Sequence, residues 1–143
     1  VSCGFKPLYK NSNRDNIFQE IEIKTPPNKF GFFIKEALAG KARYSQSGSF
    51  IIHINPSVTS SYSAITKENE ITRYSVTMKV DYELIEKKSR SIYLKGKEIA
   101  TSDYSAALTY TGFSTEVAKK DTYRRLAETI AEKINTQIII KFR

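Results

Sequence analysis

Tryptophan is absent from this sequence, and cysteine, histidine and methionine each occur once. A single cysteine, Cys3, excludes a disulfide within the chain and leaves no thiolate cluster for a zinc or iron–sulfur site. A single histidine, His53, limits metal binding and acid–base chemistry further. No apolar run approaches the ~18 residues that a transmembrane helix requires, so the body of the chain is expected to be soluble.

The sequence also lacks the common enzyme motifs GxSxG, HExxH, a Walker loop and CxxC. The carboxylate pairs Glu20–Glu22 and Asp81–Glu83 lie on the polar faces of predicted strands, which favours solvated surface over catalysis. His53 lies within an apolar run and is interpreted as a structural strand residue on the less buried face. We therefore predict a protein with no enzymatic activity and no cofactor or metal.

The sequence does carry a large positive charge, +8 over 143 residues. Such a charge points to an anionic partner, which is a nucleic acid, an acidic protein or a phosphate-bearing lipid. The less balanced basic spots are Lys119–Lys120, Lys87–Lys88–Arg90 and Lys67, and each is interpreted first as plain surface. Tyrosines and lysines on a sheet also stack nucleic acid bases, but the RNP motif of such domains is absent from the sequence.

Hydrophobic periodicity predicts the order strand, helix, three strands, helix. The predicted elements are a short strand over Ile17–Ile23, a helix from Phe30 to about Ala42, strands at Phe50–Ile54, Tyr74–Leu84 and Ile92–Thr101, and a helix after Gly112 with Ser114 or Thr115 as its cap. Pro56 marks a bulge, an edge or a strand end. This order predicts an α+β domain, a mainly antiparallel four-stranded sheet with two helices on one face, over residues 15–143, preceded by a flexible leader over residues 1–14.

The first residues, Val1-Ser2-Cys3-Gly4, resemble the end of a bacterial lipobox. The lipoprotein signal peptidase cleaves immediately before such a cysteine, and the cysteine thiol carries a diacylglycerol. Cys3 is therefore the candidate site of lipid attachment.

Three stretches together resemble the LPS-assembly lipoprotein (LptE) family, in its alphaproteobacterial form. They are CGFKPLY at the start, EITRYSVTMKVDYELIEKKS, which is similar to the family's long central strand, and TSDYSAALTYTGFSTEVAKKDTYRRLAETIAEKINTQI, which is similar to its final strand and helix. The order of elements is also that of the family, so the resemblance covers essentially the whole chain.

The resemblance implies a non-enzymatic lipoprotein on the periplasmic face of the outer membrane. Such a protein plugs the β-barrel protein LptD, assists its assembly and helps to deliver lipopolysaccharide to the cell surface. It also implies that Lys67, Lys119 and Lys120 occupy positions at which the family binds lipopolysaccharide. Two other hypotheses remain open: a basic nucleic-acid-binding domain, and an adaptor lipoprotein of another envelope complex.

Overall fold

The structure is a computed structural model that describes residues 17–65, 71–105 and 113–143. The elements are β1 (Ile21–Lys24), α1 (Lys29–Lys41), β2 (Phe50–Ile65), β3 (Ile71–Glu86), β4 (Ile92–Ser105) and α2 (Phe113–Lys141). This order confirms the predicted α+β class. The predicted leader and Cys3 lie outside the described residues.

The four strands form one sheet in the order β1-β2-β3-β4. The pairings of β2 with β3 and of β3 with β4 are antiparallel, as predicted. The pairing of β1 with β2 is parallel, from Ile21 opposite Phe50 to Lys24 opposite His53, so the sheet is mixed. It is parallel because α1 carries the chain back to the end of the sheet at which β1 begins.

The two ends of the sheet differ in the elements that meet there. At the end that we call basal, β1, β2 and β4 begin, β3 ends, and the Ser45 amide after α1 donates to the Ile21 carbonyl at 2.9 Å. Phe142, just after α2, stacks on Tyr93 near the start of β4. Both helices therefore run toward the basal end, the long α2 from the opposite, apical end of the sheet and the shorter α1 from partway along it.

The core lies between the sheet and the helices. The alternate β3 residues Val76, Met78, Val80, Tyr82 and Leu84 are buried, as the period-two pattern predicts. They face the buried stripes of the helices, which are Phe33, Ile34 and Leu38 of α1 and Leu126, Ile130, Ile134 and Ile138 of α2. The core therefore positions both helices on one face and leaves the other sheet face open.

The start of α1 is fixed by its capping residue and by the prolines before it. The Asn28 side chain accepts a hydrogen bond from the Gly31 amide at 2.8 Å, which satisfies one of the free donors of the first turn. Gly31 is buried against the Pro26 carbonyl, and a Cβ at this position would clash with that oxygen. Glycine at position 31 is thus required by close packing.

Pro56 lies within β2 and pairs with Val80 of β3, so the strand continues through it. β1 ends opposite His53, and within the described part of the chain no strand pairs with the second edge of β2 beyond that point. Of the three interpretations of Pro56, the edge position is the one observed, because a missing amide is tolerated there.

The helix α2 begins at Phe113, so Ser114 and Thr115 lie in its first turn, and the prediction that one of them precedes the helix as its cap is wrong. At its other end α2 continues to Lys141. The closing residues QIIIKFR therefore belong mainly to a last helical turn.

A hydrogen bond between Tyr44 and Asn135 lies in the basal part of the core. The Tyr44 hydroxyl donates to Asn135 Oδ1, and burial raises the pKa of Tyr44 above its ordinary range. Asn135 is 7% exposed, and its Nδ2 has no partner in the described part of the chain. Tyr44 is thus neutral and donates to the Asn135 carbonyl oxygen, whereas the Asn135 amide nitrogen has no partner among the described residues.

We expect Tyr44→Phe to lower the free energy of unfolding by about 1–3 kcal/mol, because it leaves the Asn135 carbonyl oxygen buried without a donor. Urea denaturation measures this cost. In the double variant with Asn135→Leu, the Tyr44→Phe change should cost less than it does alone, since no amide remains to be satisfied. Additive costs would show that the two side chains do not interact.

Candidate anion-binding surface at the apical end

A row of three tyrosines crosses the apical end of the sheet on the helix side. Tyr62 of β2 pairs with Tyr74 of β3, which pairs with Tyr104 of β4. The Tyr62 and Tyr74 rings meet edge to face at 5.9 Å between centroids, and the Tyr74 and Tyr104 rings stack at 5.2 Å. Burial decreases along the row toward Tyr62, which is 63% exposed. We call these three residues the tyrosine row.

The first turn of α1 and the third turn of α2 continue this aromatic surface. Tyr123 of α2 meets Phe30 of α1 edge to face at 5.1 Å between ring centroids. The Lys29 ammonium lies 5.1 Å from the Phe30 centroid and 5.5 Å from the Tyr123 centroid. At these distances the ring faces attract the cation. Lys29 is itself exposed, so its ammonium stays accessible to solvent.

The electrostatic environment of Tyr104 shows that the row and α2 are close. Burial raises the pKa of Tyr104, and the nearby Tyr123, Tyr74 and Glu116 raise it further. The Tyr104 hydroxyl therefore remains neutral and able to donate a hydrogen bond.

Lys119 and Lys120 lie in the second turn of α2, at this same end. Successive helical residues are ~100° apart, so the two side chains leave the helix in different directions. Lys119 is half-buried and lies one turn before Tyr123, on the stripe that faces α1, whereas Lys120 is exposed. Within the described ranges neither ammonium has a carboxylate within 4.0 Å, and Lys67 lies outside those ranges.

The apical end therefore combines accessible ammonium groups with flat aromatic rings. A lysine acts as a point charge for a phosphate group, and an aromatic face packs against apolar or ring-shaped parts of a ligand. The arrangement fits an anionic amphiphile or a phosphorylated sugar.

Lys29 and the tyrosine row were not identified as site residues from the sequence. Tyr74 and Tyr104 are recognisable as apolar positions of strands, but only the register places Tyr62, Tyr74 and Tyr104 side by side. The proximity of Lys29 to Tyr123 depends on the packing of α1 against α2. Neither relation has a local sequence signal.

The opposite face of the sheet is open to solvent and mostly polar, with Ile99 as an exposed apolar residue. Its lysines pair with acids across strands: Lys95 Nζ lies 3.3 Å from Glu83 Oε1, and Lys97 Nζ lies 3.7 Å from Asp81 Oδ1. His53 is exposed on this face, as predicted, and lines a shallow concavity of about 490 Å³ with these acids. Asp81 and Glu83 thus pair with lysines of β4.

Two classes of site are not found among the described residues. No group of three or more His, Cys, Asp or Glu side chains lies close enough together to hold a metal ion. Neither described helix combines the length and apolar composition that crossing a membrane requires.

Comparison with known protein families finds no family model that matches the chain. The uncharacterized protein RP188 of Rickettsia prowazekii is 24% identical over 142 residues, which cover 99% of this chain and 89% of that protein. The similarity thus extends over almost the whole length of both chains.

Solved structures of bacterial lipoproteins share the fold. A candidate lipoprotein from Caulobacter crescentus CB15 has a TM-score of 0.71 at 19% identity, covering 90% of this chain and 93% of that one. Lipoprotein B from Nitrosomonas europaea has a TM-score of 0.62 at 12% identity, with 85% and 82% covered. Rare lipoprotein B from Shewanella oneidensis has a TM-score of 0.59 at 10% identity, with 86% and 98% covered. The chain therefore has the α+β fold of these small lipoproteins.

Proposed function

We propose that this protein is an LptE-like lipoprotein, anchored through Cys3 in the inner leaflet of the outer membrane. In this role it plugs the LptD β-barrel, assists the assembly of that barrel and helps to deliver lipopolysaccharide to the cell surface. The protein contributes binding surfaces and carries out no catalysis.

The observation that carries this proposal is the combination of a lipobox-like start with this fold in one chain. Ser2-Cys3-Gly4 supplies the attachment chemistry, and the solved structures that share the fold are described as lipoproteins. Either feature alone is weak, because a terminal cysteine arises by chance and an α+β fold serves many functions.

The two sheet faces suit a plug inside a barrel. The helix side closes the apolar core, whereas the other face presents charged and hydroxyl side chains, as the hydrated lumen of a large barrel requires. On that face Thr77 Oγ1 and Thr101 Oγ1 lie 3.0 Å apart, next to the ion pairs of Asp81 and Glu83. The polar side chains of such a face can replace their hydrogen bonds to water with hydrogen bonds to the polar wall of the barrel lumen, so little solvation free energy is lost on insertion.

The apical surface is assigned to lipopolysaccharide in this proposal. Lys119 and Lys120, with Lys67 from the sequence, supply positive charge for the lipid A phosphates. Lys29 adds an ammonium held against Phe30 and Tyr123 at the same end. The tyrosine row offers rings for the sugar or apolar part of the same molecule.

The combined change of Lys67, Lys119 and Lys120 to Ala is expected to weaken binding of purified lipopolysaccharide about tenfold, because charge-assisted contacts are removed from a partly solvated site. Binding is measured by titration at fixed ionic strength, and far-UV circular dichroism checks that the fold is unchanged.

The matched control changes Lys35, Lys79 and Lys97 to Ala, which removes the same charge from exposed positions away from the apical end. This control should bind lipopolysaccharide within about twofold of the original protein, since exposed charges at a distance are screened. Equal losses in the two variants would assign the effect to net charge. Unaltered binding in both variants would show that the apical lysines do not contribute to lipopolysaccharide binding.

A further inference from the structure

The basal end of the molecule is also strongly basic. Its cations come from the ends of both helices and from the turn between β3 and β4: Lys41, Arg43, Lys141 and Arg143 with Lys87, Lys88 and Arg90. All are exposed. We call this set, together with the apolar residues described below, the basal patch.

The acidic residues near the basal patch are few and already engaged. Glu22 Oε2 lies 3.0 Å from Lys87 Nζ. Glu20 accepts a hydrogen bond from the Ser49 hydroxyl, and Glu86 accepts from the Ser89 hydroxyl. Within the part of the chain that the structure describes, the remaining basal cations have no carboxylate within 4.0 Å. Their charge is therefore available to an external anion.

The position of these cations is explained only in part by local stability. Lys41 and Lys141 lie in the last turns of their helices, where a positive charge also favours the helix dipole. Lys88 and Arg90 belong to the turn after β3 and have no such role. Arg90 has a positive φ of 58°, a conformation that Asn or Gly adopts at lower cost, yet the residue present is a cation.

Exposed apolar side chains lie beside the cations. Ile92, the first residue of β4, is 55% exposed, and Ile140, in the last turn of α2, is 48% exposed. They flank a half-buried aromatic cluster in which Phe50 meets Tyr93 at 5.0 Å and Phe142 at 5.5 Å between ring centroids. Exposed isoleucines at the same end of a molecule as many lysines and arginines are typical of surfaces that enter the headgroup region of a bilayer.

We propose that the basal patch docks on the surface of an anionic phospholipid bilayer. The cations approach the lipid phosphates, and Ile92 and Ile140 enter the interface. A bilayer fits better than a single soluble anion because the cations are spread over three separate segments and are accompanied by exposed apolar side chains.

The direction of the chain agrees with this docking. The described residues begin at Ile17, whose carbonyl accepts a hydrogen bond from the Glu20 amide at 3.1 Å. The Glu20 carbonyl accepts a hydrogen bond from the amide of Phe50, the first residue of β2, so this part of the chain lies at the basal end. Cys3 precedes Ile17 by 14 residues, a length of chain that spans at most ~50 Å. A lipid on Cys3 therefore lies within reach of the bilayer that the basal patch would contact.

This inference rests on the proposed function in one respect only, which is the lipid on Cys3. That lipid and the basal patch would be two separate attachments to the membrane. Two weak signals together give stable anchoring where one gives reversible binding. The basal patch can be tested without the anchor, so that the two proposals fail separately.

The experiment uses the full chain in unlipidated form with sedimenting vesicles of phosphatidylcholine, with and without phosphatidylglycerol. The original protein should bind the anionic vesicles, bind the neutral ones far more weakly, and be released progressively as salt is added. Changing Lys88, Lys141 and Arg143 to Ala should weaken binding to anionic vesicles at least about tenfold.

Two comparisons make the result specific. The control with Lys35, Lys79 and Lys97 changed to Ala removes the same charge and should bind within about twofold of the original protein. The pair Ile92→Ser and Ile140→Ser should reduce the binding that remains at high salt, because that component comes from apolar contact. Circular dichroism verifies the fold of each variant.

Three results would overturn the basal patch as a bilayer site. They are equal losses in the two charge variants, equal binding to neutral and anionic vesicles, and displacement of the protein from vesicles by an oligonucleotide at lower concentration than by soluble phospholipid headgroups. None of these results tests the lipid attachment at Cys3. That attachment is measured separately, by fractionation and by mass spectrometry of the N-terminal peptide.

Discussion

Met78→Asp is expected to unfold most of the protein at room temperature. Met78 is fully buried at the centre of β3, between Val58 of β2 and Ala100 of β4. The change removes apolar volume from the core and places a carboxyl group between the apolar side chains of Val58 and Ala100, which offer no hydrogen-bond donor. Its combined cost is on the order of 5 kcal/mol, comparable with the whole stability of a small domain. Circular dichroism and thermal denaturation measure the loss.

The matched control is Lys79→Asp, one residue further along the same strand. Lys79 is exposed on the open face of the sheet, so an aspartate there stays hydrated and should change the free energy of unfolding by only about 1 kcal/mol or less. A similar loss of stability in both variants would show that β3 does not present alternate residues to opposite environments. The faces assigned to the sheet would then be wrong.

The second large effect is expected for Cys3→Ser in a protein that is exported with the cleavable signal segment of a soluble periplasmic protein, because the lipoprotein signal peptidase would not cleave before a serine. Without the thiol no diacylglycerol can be attached, and the protein should move from the membrane fraction to the soluble periplasmic fraction. The basal patch by itself should retain only a small, salt-sensitive part on the membrane. Fractionation followed by mass spectrometry of the N-terminal peptide measures both the location and the lipid.

Loss of the anchor in Cys3→Ser is easy to distinguish from a failure of folding. The variant should keep the circular dichroism spectrum and the vesicle binding of the unlipidated chain, because serine replaces the thiol by a hydroxyl of similar size and every residue named in the core and in the basal patch is unchanged. If the original protein carries an unmodified Cys3 and fractionates as soluble, the lipoprotein assignment is wrong.

The fold was largely predictable because its longest signals are local. β3 alternates apolar and polar residues over its whole central stretch, and that pattern specifies both the strand and its buried face. Likewise, the stripe from Tyr123 to Ile138 predicts a helix packed along one side. The parallel pairing of β1 was not predictable in this way, since it depends on where α1 returns the chain.

The residues of the candidate sites also divide into those that the sequence identifies and those that only the tertiary structure brings together. Lys119 and Lys120 were candidates from the sequence and lie near the start of α2, whereas Lys67 lies outside the described residues, and a binding role for all three stays a prediction. The tyrosine row and the place of Lys29 beside Tyr123 emerge only from strand register and helix packing. The basal patch likewise combines residues far apart in sequence, from the ends of both helices and the turn after β3. Such juxtapositions have no signature in any short segment.

The measurement that tests the central claim most directly is an affinity isolation of the full-length, signal-bearing protein from detergent-solubilised outer membranes. Mass spectrometry then identifies the proteins that remain bound after washing. The plug proposal predicts a large β-barrel protein in a near one-to-one ratio. Recovery of a different envelope complex would contradict the role in lipopolysaccharide export, and absence of the protein from the membrane fraction would contradict the lipid anchor as well.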